Sequence, residues 1–160
     1  MNVLAMDAAT ADSGYLIVKD GKPVEWNILR ASGVDVWDRI SDYSDKLDDL
    51  LFHHAIEVFG YEYPSGNSSH STNLKLGALM YASIAAFRGY KAKWGDDDDE
   101  MVFIKPTQVK KTGAHKNAIE FAGVQIGVTF SWKSEAEKKR LGNIADAVGI
   151  WLWLKENGYG

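Results

Sequence analysis

The chain has no cysteine in its 160 residues, which excludes disulfides and thiolate metal sites. No apolar run approaches the roughly 18 residues of a membrane span, so no membrane partner is expected. No basic stretch precedes an apolar one at the N-terminus, so no secretion signal is expected, and a cytoplasmic location follows. There is no internal repeat and no low-complexity linker, and the length suits one domain over 1–160 with a real core. What is present is ordinary for such a domain, with 46% hydrophobic and 25% charged residues. The net charge of −4 argues mildly against nucleic acid, but the distribution of charge matters more. Residues 1–104 carry seventeen acids against nine bases, whereas 105–160 carry nine bases against five acids. Between Met101 and Ile119 there are four lysines and no acid, a local basic surface that suits a phosphate backbone.

The opening stretch organises the rest. Residues 3–6 read as an apolar strand, Asp7 follows where the apolar run stops, and small residues lead into a second strand over 14–19. A carboxylate at a strand end beside open space suits a metal ion that carries a phosphate. The same pattern opens actin-like and sugar-kinase folds, and it also describes a plain Asx turn. Asp20-Gly21 signals a tight turn into a third strand over 23–29. Apolar spacing predicts a helix over 37–56, with Glu57 at its end. A strand over 58–63 carries Glu62 near its C-terminal end. A helix over 73–87 follows, ended by Gly89. Residues 93–100 hold four consecutive aspartates, read as a solvated turn without the ligand spacing of an EF-hand. A strand over 101–104 ends at Lys105-Pro106. A basic turn-rich segment and a short helix over 115–122 come next. The last helix covers 134–156, with a break suggested at Gly142-Asn143. Three strands, then strands reached through helices, predict an α/β ribonuclease H-like fold with a five-stranded mixed sheet flanked by helices.

In such a sheet, ligands gather outside the carboxyl ends of the strands. Asp7 and Glu62 end two strands, and adjacent carboxylates there would have their repulsion relieved by a divalent cation. Magnesium takes oxygen ligands and accepts phosphate in its shell. Asp146 lies in the most hydrophobic helical stretch, where an unpaired carboxylate would be costly. It faces a metal or a partner, or else it belongs to a capping box that starts at Asn143. Lys110, Lys111 and Lys116 flank a glycine-containing turn, as an ordinary solvated loop or as phosphate contacts beside a metal site.

Four segments resemble the RuvC-like Holliday junction resolvases, and more closely their small phage-type members. Met6-Asp7 with Ser13-Gly14-Tyr15 resembles the family's opening hairpin. Gly60-Tyr61-Glu62, with Leu74-Lys75-Leu76-Gly77 twelve residues on, resembles its strand-four glutamate and next helix. Gln108-Val109-Lys110 and Ala114-His115-Lys116 resemble its two lysine motifs, and Ile144-Ala145-Asp146-Ala147 its C-terminal Asp-Ala helix. The resemblance implies a homodimeric endonuclease that nicks two strands of a four-way or branched DNA symmetrically. It implies two magnesium ions, with manganese as a substitute, held by Asp7, Glu62 and Asp146, to activate water and stabilise the leaving 3′-oxygen. Lys116 joins the three acids as a catalytic residue, and Lys105, Lys110, Lys111 and Lys116 contact DNA. The helix over 73–87 contributes to the dimer interface. The chain departs from the pattern at Asn143, where many members carry a fourth acid; its amide oxygen would serve as a neutral ligand. The loop between the lysine motifs is short. The family's aromatic wedge falls on Ser65, with Tyr61 or Tyr63 as substitutes. The resemblance places the protein in the cytoplasm, that of a host cell if it is phage-encoded. Alternatives are a ribonuclease H-like nuclease for RNA–DNA hybrids or flaps, a nucleotide-binding half of an actin-like fold, and a non-catalytic junction-binding module.

Overall fold

A computed structural model describes residues 1–109 and 116–160. Five strands form one mixed sheet: β1 (Asn2–Asp7), β2 (Asp12–Lys19), β3 (Lys22–Arg30), β4 (Val58–Glu62) and β5 (Glu100–Ile104). Their spatial order is β3-β2-β1-β4-β5. The first three make an antiparallel meander, and β4 and β5 run parallel to β1. The helices are α1 (Val36–His54), α2 (His70–Trp94), α3 (Lys116–Ile126) and α4 (Glu135–Glu156). None of them is long and apolar enough to cross a membrane among the described residues. The α/β mixed-sheet expectation is met.

Local chemistry explains the elements. Asp20 and Gly21 both have positive φ, 49° and 75°, as a two-residue hairpin turn of the favoured twist requires. Val3, Leu4, Ala5 and Met6 are fully buried because β1 is central and both its faces are covered. Alternation divides them between two cores. Val3 and Ala5 pack with Val148, Ile150, Trp151 and Leu154 of α4. Leu4 and Met6 pack with Tyr43, Leu47, Leu51, Leu79 and Phe87 of α1 and α2. Asp7, next in the alternation after Val3 and Ala5, belongs to the α4 face.

Several expectations are corrected. Gly89 does not end α2. Tyr90, just beyond it, is buried against Phe87 with ring centroids 6.2 Å apart, and this packing carries the helix on to Trp94. The aspartate run is not wholly solvated. Asp99 is buried and accepts the Asp96 N–H at 2.8 Å, while Lys91 Nζ donates to the carbonyls of Asp97 and Asp99. Glu57 lies in the connection between α1 and β4, because Ala55 closes α1 in the left-handed region. Helix α4 is unbroken. Ser134 is its cap, accepting the Glu137 N–H, so Asn143 sits mid-helix and caps nothing. Gly142 is buried there, and small residues let α4 lie close on the sheet.

Candidate active site

Strand register sets two carboxylates side by side. β1 and β4 pair in parallel with Met6 opposite Tyr61, so the next rung is Asp7 with Glu62, at the carboxyl ends of both strands. Neighbouring strands lie about 4.8 Å apart, and in-register side chains on them point to the same face. Gly60, two residues before Glu62, identifies that face: a Cβ there would lie 2.5 Å from Leu154 Cδ1 of α4. Both carboxylates are half-buried, and Glu62 Oε2 is shielded from solvent.

Helix α4 brings the third. It runs antiparallel to β1, so its first half lies at the Asp7 end. Gly14 pairs with Asp7 across β1 and β2, and a Cβ on Gly14 would fall 2.2 Å from Asn143 C and O. The helix crosses the sheet obliquely, from β2 at Asn143 to β4 at Ile150 and Leu154, and Asp146 lies between these points. Asn143 and Asp146, three residues apart, share a helix face, about 4.5 Å apart along the axis. Asn143 Nδ2 donates to Asp12 O at 3.2 Å, which fastens α4 to the start of β2. Ser13 fastens the loop between β1 and β2. Its hydroxyl accepts the Ala9 N–H at 2.9 Å and donates to Ala9 O at 3.0 Å. In the sequence Ser13 reads only as a small residue; a Ser four positions after an Ala gives no warning of a loop latch.

Beneath this end is a buried polar pair, Tyr43 OH and Ser83 Oγ, 2.7 Å apart. Burial raises the Tyr61 hydroxyl above its ordinary range, a hydrogen bond with Ser83 opposes the rise, and the charge of Asp7 adds to it. Tyr61 is therefore a neutral core side chain, only 2% exposed, and is unavailable as a wedge. Tyr63 is 41% exposed and stacks on Phe103 with centroids 5.0 Å apart.

Of the lysines, Lys105 is exposed just beyond Ile104, the partner of Glu62 on β5. Its turn is closed by Gln108, whose Oε1 accepts the Lys105 N–H at 2.9 Å and whose N–H donates back to Lys105 O. Val109 is buried against α4, where a Cβ on Gly149 would lie 3.3 Å from its Cγ1. The chain thus enters the lysine segment three helix positions from Asp146. Lys110 and Lys111, with the turn around Gly113, lie outside the described residues. Lys116 opens α3, exposed, with Glu120 at 3.8 Å.

The fold thus aligns Asp7, Glu62, Asp146 and Asn143 at one end of the sheet. Among the described residues no three His, Asp or Glu side chains are already gathered as a metal cage. The donor set is all oxygen, three acids and one amide. That chemistry fits a hard divalent cation.

No family model matches the chain, and no curated protein matches it. Solved structures do. RuvC of T. thermophilus in complex with a Holliday junction substrate superposes with a TM-score of 0.73 at 16% identity, covering 99% of this chain and 97% of that one. The Fowlpox virus resolvase, in complex with its Holliday junction DNA substrate, gives 0.58 at 16% identity, covering 98% of each chain. The yeast mitochondrial Holliday junction resolvase Ydc2 gives 0.56 at 17% identity, covering 96% of this chain and 80% of that one. The chain has the RuvC-type, ribonuclease H-like fold.

Proposed function

We propose that this protein is a structure-specific DNA endonuclease that resolves four-way or branched junctions by paired, symmetric nicks. The observation that carries the reading is the register that sets Asp7 beside Glu62 at the carboxyl ends of β1 and β4, on the face that α4, the helix of Asp146, crosses. The resolvases that share the fold, two of them in complex with junction DNA, support it.

Asp7, Glu62 and Asp146, with Asn143 as a neutral ligand, would hold divalent cations, magnesium or manganese. Bound there, the cations supply Lewis-acid charge for phosphodiester hydrolysis. The ladder between β1 and β4 fixes the spacing of the first two acids. The bond from Asn143 to Asp12 fixes the height of α4 and with it the place of Asp146. Water adds at phosphorus and the bond to the 3′-oxygen breaks, leaving a 5′-phosphate and a 3′-hydroxyl. Lys105, Lys110, Lys111 and Lys116 supply positive charge to the phosphates, with Lys116 near the scissile one. Paired nicks need two sites, and α2 offers a surface for a second copy. Its outward face exposes Leu74 and Tyr81, two turns apart, 57% and 73% exposed.

The test is a panel of labelled substrates with magnesium: a four-way junction, a linear duplex and an RNA–DNA hybrid. Symmetric nicks in the junction alone are expected. Cutting of the hybrid alone would move the protein to another nuclease class. Junction binding that never leads to a cut would make it a binding module.

A further inference from the structure

Beside the carboxylates, between β3 and the first half of α4, lies a second cleft of about 540 Å³ that none of the preceding chemistry uses. Its lining includes Asn27 and Arg30 from β3, Ser131 from the segment before α4, and Glu137 and Arg140 from the first turns of α4. Arg140 is half-buried, and among the described residues its guanidinium meets no carboxylate at ion-pair distance. That is unusual for an arginine withdrawn from solvent, since the planar fork is most favourable against a carboxylate or phosphate. The nearby acids are already engaged. Glu137 belongs to the capping box of α4: its Oε2 accepts the Lys133 N–H at 2.7 Å, and its own N–H is held by Ser134. Asp12 holds Arg30 Nε at 2.9 Å, which fixes a second guanidinium at the rim. Asn27 uses its Oδ1 on the Ile28 N–H, so its amide N–H groups remain as donors. Glu137 keeps its charge at the α4 end of the lining, and the two guanidiniums of Arg140 and Arg30 outnumber it.

We propose that this cleft seats the sugar-phosphate backbone of a DNA arm beyond the cut, with Arg140 as its phosphate contact. The inference rests on the junction-nuclease reading and adds a second anchor to it. Arg140 and Asp146 share one helix, six residues apart, which is about 9 Å along its axis. A DNA strand advances about 3.4 Å per nucleotide. Successive phosphates on one strand are farther apart than this rise, so the phosphate held by Arg140 is at most about the third from the scissile one. Asn143 stands between the two sites, bonded to the same Asp12 that positions Arg30, so the cleft and the carboxylates are parts of one continuous surface.

The experiment measures binding to a labelled four-way junction without divalent metal, across about 50 to 200 mM salt. It uses wild type, Arg140→Gln, Arg140→Lys and, as a control of equal charge at the far end of β3, Lys22→Gln. Arg140→Gln should bind about tenfold more weakly at the low-salt end. Its log–log salt slope should be shallower by about 0.9, so the deficit narrows about 3.5-fold across the range. Arg140→Lys should recover the slope and part of the affinity. Lys22→Gln should match wild type. A methylphosphonate, stepped over about the first three phosphates from the mapped cut, should at one position weaken wild type and leave Arg140→Gln unchanged. A wild-type slope in Arg140→Gln, or equal sensitivity of both proteins to the neutral phosphate, overturns this inference and leaves the nuclease reading standing. If wild type binds no junction at all, both are overturned.

Discussion

Gly14→Ala tests how closely α4 must approach the sheet. A Cβ at Gly14 would lie 2.2 Å from Asn143 C and O and 2.6 Å from Ile144 N. These are backbone atoms, so no rotamer relieves the clash. Reaching an ordinary contact of 3.4 Å requires α4 to retreat by about 1.2 Å at the turn that carries Asn143 and leads to Asp146. Overpacking of this kind costs about 1–3 kcal/mol. In a chain of this length each kcal/mol lowers Tm by about 2–4 °C, so a loss of about 2–12 °C is expected. The chemical cost is larger, because a misplacement of about 1 Å in a catalytic group lowers turnover about 100-fold. The assay pairs a thermal melt with nicking of a four-way junction at saturating protein. Gly60→Ala is the control, since the nearest atoms to its Cβ are side-chain atoms of Leu154 and Ile150 rather than backbone. It should lose stability while keeping most of its nicking. A Gly14→Ala protein that melts and nicks like wild type would refute the geometry.

Gly89→Ala should stabilise the protein by about 1 kcal/mol, seen as a Tm higher by about 2–4 °C, because Gly89 is exposed within α2 and a Cβ there meets nothing. A lower Tm would contradict the continuous helix. Asn143→Asp removes the donor to Asp12 O and adds a carboxylate beside Asp146. It should lower stability by about 1 kcal/mol and tighten manganese binding. Unchanged metal affinity in a folded variant would take position 143 out of the site. His54 links stability to pH. Burial lowers its pKa below the ordinary 6.5, outweighing the opposing pull of Glu25. As pH falls below about 6.5 the unfolded chain takes up this proton first, so stability is full above that value and declines as pH drops through the lower folded pKa. Melts of wild type and His54→Gln from about pH 7.5 to about pH 5 should show wild type losing more. A pH-independent difference between them would sink the point.

The elements whose signals are local were legible in the sequence. The apolar run of β1, the Asp-Gly turn and the carboxylate at each strand end need only alternation and turn chemistry. Asp7 and Glu62 are therefore legible as strand-end carboxylates from the residue pattern alone. Asp146 stands out because a charge in an apolar helix demands a reason. What stays hidden depends on tertiary contact. Gly89 looks like a helix stop until Tyr90 is seen packed on Phe87. Asp99 looks solvated until Lys91 and the Asp96 N–H close around its loop. Asn143 looks like a cap until Ser134 is found capping the same helix. Arg140 sits in a run with Lys138 and Lys139 and reads as ordinary surface charge, and only the packing of α4 beside β3 reveals the cleft it lines.

The most direct test is manganese binding, followed by electron paramagnetic resonance, in wild type and in Asp7→Asn, Glu62→Gln and Asp146→Asn. If the three carboxylates form one site, wild type binds the ion and each substitution weakens binding at least about tenfold, with the folded state intact by circular dichroism. Wild-type affinity in any one of the three folded variants would remove that residue from the site. Wild-type affinity in all three would show that the carboxylates at the ends of β1 and β4 and in the middle of α4 do not work together.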